Sequence, residues 1–320
     1  YNGADYQWWI KVNTMPGRGS PRDWEKMGGG YDAEGKLRLG HCPTVEEFGD
    51  AWEFNYEEVF YSGNGREYLR PRSKPAWGPN WDEDIGAGAY PNGYFFYLPR
   101  LCNQCSRPAC AEACPQKAIT KRQEDGIVII GENCRSRGAC EQECMRACPY
   151  KVIYFNSVKN VAQMCNFCLP RLQRGVAIAC LRQCPGRAAR IGFLDEIEGP
   201  VAQLVHTWKV ALPLHPEFGT TPNVYYIPPL SPPRIDRNGA VDPDQPRIPV
   251  DYLRSLFGAE VEAALETLKQ EMVRTRRGEK SLLMDLLISR KWTDLLGPYT
   301  NIPTQAKQGD FVTQPKGDLP

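Results

Sequence analysis

The run Cys102-Asn103-Gln104-Cys105-Ser106-Arg107-Pro108-Ala109-Cys110-Ala111-Glu112-Ala113-Cys114-Pro115 decides how this chain is read. Four cysteines end on a proline, and the arrangement recurs twice: Cys134, Cys140, Cys144 and Cys148 precede Pro149, and Cys165, Cys168, Cys180 and Cys184 precede Pro185. All but one of the chain's 13 cysteines therefore fall between positions 102 and 184. A disulfide framework does not suit this pattern. Such scaffolds belong to chains much shorter than 320 residues, and an oxidised Cys-x-x-Cys closes a very tight loop.

The spacing suits iron–sulfur ligation. A cubane cluster needs thiolates delivered from several directions; a tight cysteine loop supplies three, and the fourth comes from a distant cysteine that precedes a proline, as in bacterial ferredoxin runs. In two-cluster ferredoxins that last cysteine ligates the other cluster. By this rule Cys102, Cys105 and Cys110 share a cluster with Cys148, while Cys114 crosses to the cluster held by Cys134. All-cysteine zinc sites also use Cys-x-x-Cys pairs, but they join one pair to another, whereas each group here is three cysteines plus one before a proline.

The second group is irregular. Counting from Cys134, Cys140 and Cys144 stand at +6 and +10, and +3 is Arg137. A corner without a thiolate leaves one iron unligated, so a three-iron cluster is the natural outcome, and a cation at Arg137 favours its reduced state. Cys140, Cys144 and Cys148 are spaced as if one helical turn had been inserted. Either Cys144 rescues the missing corner and the cluster has four irons, or Cys144 is idle; the ligand count favours three irons.

Around this core, 29 glycines and 28 prolines favour turns and extended segments over long packed elements. Residues 1–97 read as an extended arm rich in glycine and tryptophan (Trp8, Trp9, Trp24, Trp52, Trp77, Trp81), residues 98–198 as the cluster core, and residues 199–320 as a proline-rich and helical segment contacting partner subunits. In the core, the Asp125-Gly126 step between two β-prone runs predicts a hairpin. Further strands are expected at 152–155 and 189–194, each after a cysteine group. Helices are expected over 201–212, 251–257, 260–273 and 281–296, and the seven prolines from Pro213 to Pro233 call for extended chain. Cys42, beside His41 and far from the other cysteines, reads as a small packing residue. Arg274, Arg276, Arg277 and Lys280 read as a solvated basic face, and residues 297–320 as an unfolded or partner-bound tail. The expected class is α+β: paired bacterial-ferredoxin-like modules with long irregular N- and C-terminal extensions.

Charge narrows the partners. The 39 basic and 38 acidic side chains nearly cancel, which argues against a nucleic-acid or anionic-membrane surface. No apolar run approaches the roughly 20 residues that span a bilayer, and Tyr1 opens neither a charged nor an apolar leader. The expectation is a soluble chain without a direct membrane span, whose native start need not be Tyr1.

The Cys102–Pro115 run with Glu124-Asp125-Gly126-Ile127-Val128, the run Cys148-Pro149-Tyr150-Lys151 with Tyr154-Phe155-Asn156, and Leu212-Pro213-Leu214-His215-Pro216-Glu217-Phe218-Gly219 together resemble the iron–sulfur β subunits of DMSO-reductase-family molybdoenzymes of the nitrate reductase type. Trp81-Asp82-Glu83-Asp84 is similar to the branch holding perchlorate reductase, ethylbenzene dehydrogenase, dimethylsulfide dehydrogenase and selenate reductase. The resemblance covers most of residues 1–296. It implies a subunit relaying electrons between a molybdenum bis-pterin catalytic α subunit and a haem b γ subunit or other external carrier. It also implies [4Fe-4S] clusters with one [3Fe-4S] cluster at the Arg137 position. The setting would be the periplasm as part of a complex, the cytoplasm being that of the nitrate reductases. Because the family carries four cysteine groups, a first group is expected before Tyr1, completing the ligands of Cys165, Cys168 and Cys180 and receiving Cys184. The rival reading is a scaffold that clusters merely staple together.

Overall fold

The computed structural model describes residues 10–16, 24–42, 86–134, 140–156 and 160–301. Among them, short helices alternate with two-stranded antiparallel sheets. The mixture of α and β follows from a chain that glycine and proline interrupt before either period can run far.

Strand β1 (Ile10–Met15) pairs along its whole length with β2 (Phe96–Leu101), which leads directly into Cys102. Phe96, Leu98 and Arg100 of β2 turn inward while Tyr97 faces out, the period of two expected of a half-buried strand. Helix α1 (Ala109–Glu112) follows, then β3 (Ile119–Lys121) and β4 (Val128–Ile130). These strands form the expected hairpin. Its turn is made by Gly126 at φ 69° and by Asp125, whose carboxylate accepts the Ile127 N–H at 3.1 Å. Helix α2 (Glu143–Ala147) precedes a second hairpin, β5 (Tyr154–Asn156) with β6 (Val161–Gln163). Helix α3 (Leu169–Leu172) starts from Cys168, and helix α4 (Ala179–Gln183) carries Cys180 and ends at Cys184.

The strand expected over 189–194 does not form. Ile191 donates its N–H to Leu295 O at 3.1 Å, and the Arg190 guanidinium donates to Asp294 O at 3.1 Å. The 3₁₀ turn Trp292–Leu295 thus satisfies this stretch in place of a neighbouring strand. The helix expected over 201–212 is also shorter. Helix α5 (Pro200–Ala202) widens into a π turn, Gln203–Thr207, and Lys209 at φ 53° ends it. Leu212–Pro213 is instead β7, paired with β8 (Tyr225–Tyr226). A last pair, β9 (Pro233–Ile235) and β10 (Val241–Pro246), precedes the C-terminal helices.

Those helices are α6 (Val250–Phe257), α7 (Val261–Arg276) and α8 (Leu282–Leu287). Leu253, Leu256, Phe257, Val261, Leu265, Leu268 and Leu283 join Leu98, Val128, Ile153, Cys102 and Cys148 in one contiguous core. Burying each large aliphatic side chain contributes about 1.5–3 kcal/mol, so the C-terminal helices help to hold the cysteine loops. Glu271, 7% exposed, clasps α7 to α8. It accepts from Ser281 Oγ at 2.6 Å and Arg274 at 2.9 Å, which together hold its carboxyl below the ordinary value. A second cluster surrounds Leu172, Ile178, Leu181 and Leu295. Asn301 donates its N–H to Gly175 O, so the chain stays packed to that point. Trp8, Trp9, Trp52, Trp77 and Trp81, with residues 302–320, lie outside the described residues.

The arm closes on α2 through its glycines. Gly30 donates to Ala147 O at 2.8 Å and Gly40 to Arg146 O at 3.0 Å, satisfying carbonyls that a helix end leaves open. Gly29 has φ +114°, and a Cβ there would stand 2.7 Å from Ala147 O. Gly29→Ala is expected to destabilise the fold by about 1–3 kcal/mol, the range for an imposed sparse conformation. Gly239→Ala, equally left-handed at φ +85° but with nothing within 4 Å, isolates the backbone cost. Chemical denaturation of both checks this: Gly29→Ala should show the larger fall in midpoint.

Candidate metal centre

Two loop shapes recur around the cysteines. In the first, Gln104, Gln142 and Phe167, each two residues after a cysteine, take φ of 47°, 60° and 54°. Their amides turn back to hydrogen-bond the sulfurs of Cys102, Cys140 and Cys165. In the second, Lys117, Lys151 and Arg187, each three residues after the cysteine of a Cys-Pro pair, take φ of 49°, 52° and 50°. The following N–H then points at the sulfur: Ala118 to Cys114 at 3.3 Å, Ala188 to Cys184 at 3.5 Å, and Val152 to Cys148. A left-handed non-glycine residue costs roughly 1–2 kcal/mol. Six of them at equivalent places mean that the backbone is bent to aim amides at sulfur.

Helices α1 and α2 distribute the thiols. Ala109 and Ala147, 2% and 0% exposed, pack together under Tyr31, so small side chains let the helices approach closely. Cys110 in α1 lies with Cys102, Cys105 and Cys148, the residue that caps α2. Cys144 in α2 lies with Cys140, Cys134 and Cys114, the last of which follows α1. Each helix thus feeds one group from its body and the other from its end. Cys114, Cys134, Cys140 and Cys144 line a small open pocket with Ile119, Phe155 and Ala162. In the third group Cys165 neighbours Cys168 and Cys180, and Cys180 neighbours Cys184. The groups adjoin one another, with Cys165 beside Cys102 and Cys144 beside Cys110. Arg137 lies outside the described residues.

Burial dominates the electrostatics. Burial first, with neighbouring thiols adding to it, pushes the thiols of Cys102 and Cys110 well up, Cys105 to about 12 and Cys165 to about 11. Thiolates gathered here need a cationic centre to cancel their charge. Among the described residues, no three His, Cys, Asp or Glu side chains draw in tightly enough to hold a metal ion. All 13 cysteines are free thiols. Buried and part-buried, disulfide-free thiols in groups, with N–H donors aimed at sulfur, are a donor set that fits iron–sulfur clusters.

Several neighbours of the thiols escaped the sequence reading. Thr220, 1% exposed, hydrogen-bonds Cys105 and stands 2.9 Å from Tyr150 Oη. Lys151 is buried beside Cys148 and Cys42 and donates to Arg146 O at 3.1 Å. Its signal was available, because a basic residue occupies the third place after every Cys-Pro cysteine. Thr220 and Gln104 carry no such mark. Cys42 packs partly buried against the main core, as a packing residue does.

Known proteins share this organisation. The 4Fe-4S dicluster domain family matches residues 94–194, the span holding all three cysteine groups. The dimethylsulfide dehydrogenase subunit beta of Rhodovulum sulfidophilum is 50% identical over 294 residues, covering 92% of this chain and 89% of that protein. The selenate reductase subunit beta of Thauera selenatis is 46% identical over 299 residues, covering 92% and 90%. The respiratory nitrate reductase subunit beta of Haloferax mediterranei is 50% identical over 294 residues, covering 89% and 82%. With no disulfide in the chain, protein denatured anaerobically after metal removal should titrate 13 thiols with a disulfide-exchange reagent. A count lower by two would reveal a disulfide.

Proposed function

This chain belongs to the family of β subunits that includes those of dimethylsulfide dehydrogenase, selenate reductase and respiratory nitrate reductase, and we propose that it is the electron-carrying subunit of a molybdenum oxidoreductase complex. The observation that carries this reading is the neighbouring placement of three groups of buried or part-buried, disulfide-free thiols. Iron–sulfur clusters bound there supply one-electron carriers whose potentials follow from charge, burial and hydrogen bonds to sulfur. The chain's own side chains hold and insulate them; none acts as acid, base or nucleophile.

Cys102, Cys105, Cys110 and Cys148 hold a [4Fe-4S] cluster in this reading, and Cys165, Cys168 and Cys180 supply thiolates to another, with Cys184 alongside. Cys114, Cys134 and Cys144 hold the second-group cluster. The pocket there refines the ligand question that the spacing left open. Cys144 is buried among the other thiols, whereas the Cys140 thiol donates to Glu143 Oε2 at 3.3 Å. As a cluster-bound thiolate Cys140 would lose this hydrogen bond and face the carboxylate's charge instead, which disfavours it as a ligand. We keep the three-iron reading that the ligand count favours, with Cys140 rather than Cys144 as the idle thiol.

The two crossed cysteine runs form a pair of ferredoxin-like modules. Residues 1–97 and 199–320 precede and follow them in the chain, and the C-terminal segment contacts the partner subunits. The partners are a catalytic α subunit with molybdenum bis-pterin and a haem b γ subunit or other external carrier. Among the described residues no helix is long and apolar enough to cross a membrane. We assign the complex to the periplasm, following the branch the sequence resembles.

Stepwise reduction of the complex, followed by paramagnetic resonance, tests the relay. Clusters should change oxidation state between the potentials of substrate and acceptor; if none does, they serve only as structural staples. In the same experiment Cys140→Ser should leave the three-iron signal of the oxidised protein intact while Cys144→Ser abolishes it. The opposite pattern, or no three-iron signal in the parent protein, would reject this ligand assignment.

A further inference from the structure

Gln104 stands between Cys102 and Cys105 and is 4% exposed. Every polar group it carries is used. Its side-chain oxygen accepts the Val128 N–H at 2.7 Å, its side-chain nitrogen donates to Cys165 O at 2.7 Å and to Cys102 Sγ at 3.6 Å, and its backbone carbonyl accepts from Asn223 Nδ2 at 2.7 Å. The backbone N–H also reaches the Cys102 sulfur. The orientation of the amide is forced, since the Val128 N–H can face only an oxygen and the Cys165 carbonyl only an N–H. One buried residue thus touches a sulfur of the first cysteine group, the backbone of a cysteine of the third group, and the β3–β4 hairpin. It does so with its backbone held at φ 47°, a conformation glutamine adopts only when its surroundings impose it.

We propose that Gln104 is a positioning residue that clamps the third cysteine group against the first and raises the reduction potential of the first-group cluster. This rests on the reading that Cys102, Cys105, Cys110 and Cys148 hold that cluster. The sign follows from charge. Reduction adds one electron and no proton, and much of the added density falls on sulfur. An N–H directed at that sulfur therefore stabilises the reduced form more than the oxidised one. The second N–H of the same amide cannot serve Cys165 unless the two groups keep their present separation, so potential and geometry are set by one side chain.

The test is a redox titration of the intact complex carrying Gln104→Met or Gln104→Glu, read by paramagnetic resonance, with iron and sulfide measured on the same samples. Cys105→Ser, which alters a direct ligand, identifies the signal of the first-group cluster. If it perturbs no signal, the ligand reading fails independently of Gln104. Methionine fills similar space but donates nothing; glutamate keeps the acceptor for Val128 and adds a negative charge. Both variants should lower the midpoint of the first-group signal, with at least a tenfold smaller reduced-to-oxidised ratio at the parent midpoint, equivalent to about 59 mV for one electron. The second-group signal should be unmoved. Full iron content with an unchanged first-group midpoint in both variants overturns the proposal. If assembly is impaired instead, loss of the first- and third-group signals alone supports the clamp. Loss of all three shows a residue that merely holds the fold and overturns it.

Discussion

A thiolate can be buried only where something cancels its charge, and the rest of this structure depends on that constraint. The cysteines of the first group lie in the same core as Leu98, Val128 and the C-terminal helices. Isolated there, each would stay protonated. Held around a cationic centre, they become the means by which the core is tied together, since metal binding to a site that exists only in the folded chain adds to folding free energy. Stability and electron carriage are then two results of one arrangement.

The backbone yields to that constraint at measurable cost. Each left-handed residue in the cysteine turns costs roughly 1–2 kcal/mol. A hydrogen bond to a charged acceptor returns about 1.5–3 kcal/mol. The second range covers the first, so the turn is sustained once the sulfur is ionised and ligated, and is only marginal while it is a neutral thiol. The same comparison explains why Lys117, Lys151 and Arg187 are tolerated where glycine would be the easy choice. At Lys151 the ammonium beside Cys148 adds an electrostatic gain that glycine cannot offer.

How much of this was legible in the sequence varied with the range of the interaction concerned. The three cysteine groups and the hairpin at Asp125-Gly126 depend on short spacing, and were read from it. The segment 189–194 is β-prone, but its backbone is satisfied by a turn about a hundred residues later, which no local period records. The helix at 200–207 stops early because Lys209 leaves the helical region, although nothing in its composition demands this. Spacing also placed the doubt about the second group on Cys144. Only the phase of α2 and the position of Glu143 show that Cys144 points inward while Cys140 meets a carboxylate. Gln104 was hidden for another reason: its role is spread over partners at 128, 165 and 223, none a neighbour in the chain.

The closing of the glycine arm on α2 bears on how such a chain is made. Arg146 and Ala147, just before Cys148, are capped by residues 30 and 40, while Cys105 is contacted by Thr220. The surroundings of one site are therefore drawn from nearly two hundred positions of a chain synthesised from its N-terminus. Contacts of such high sequence separation form late. Until Thr220 has left the ribosome the cysteine loops have no finished enclosure, and their thiols stay open to oxygen and to the wrong metal.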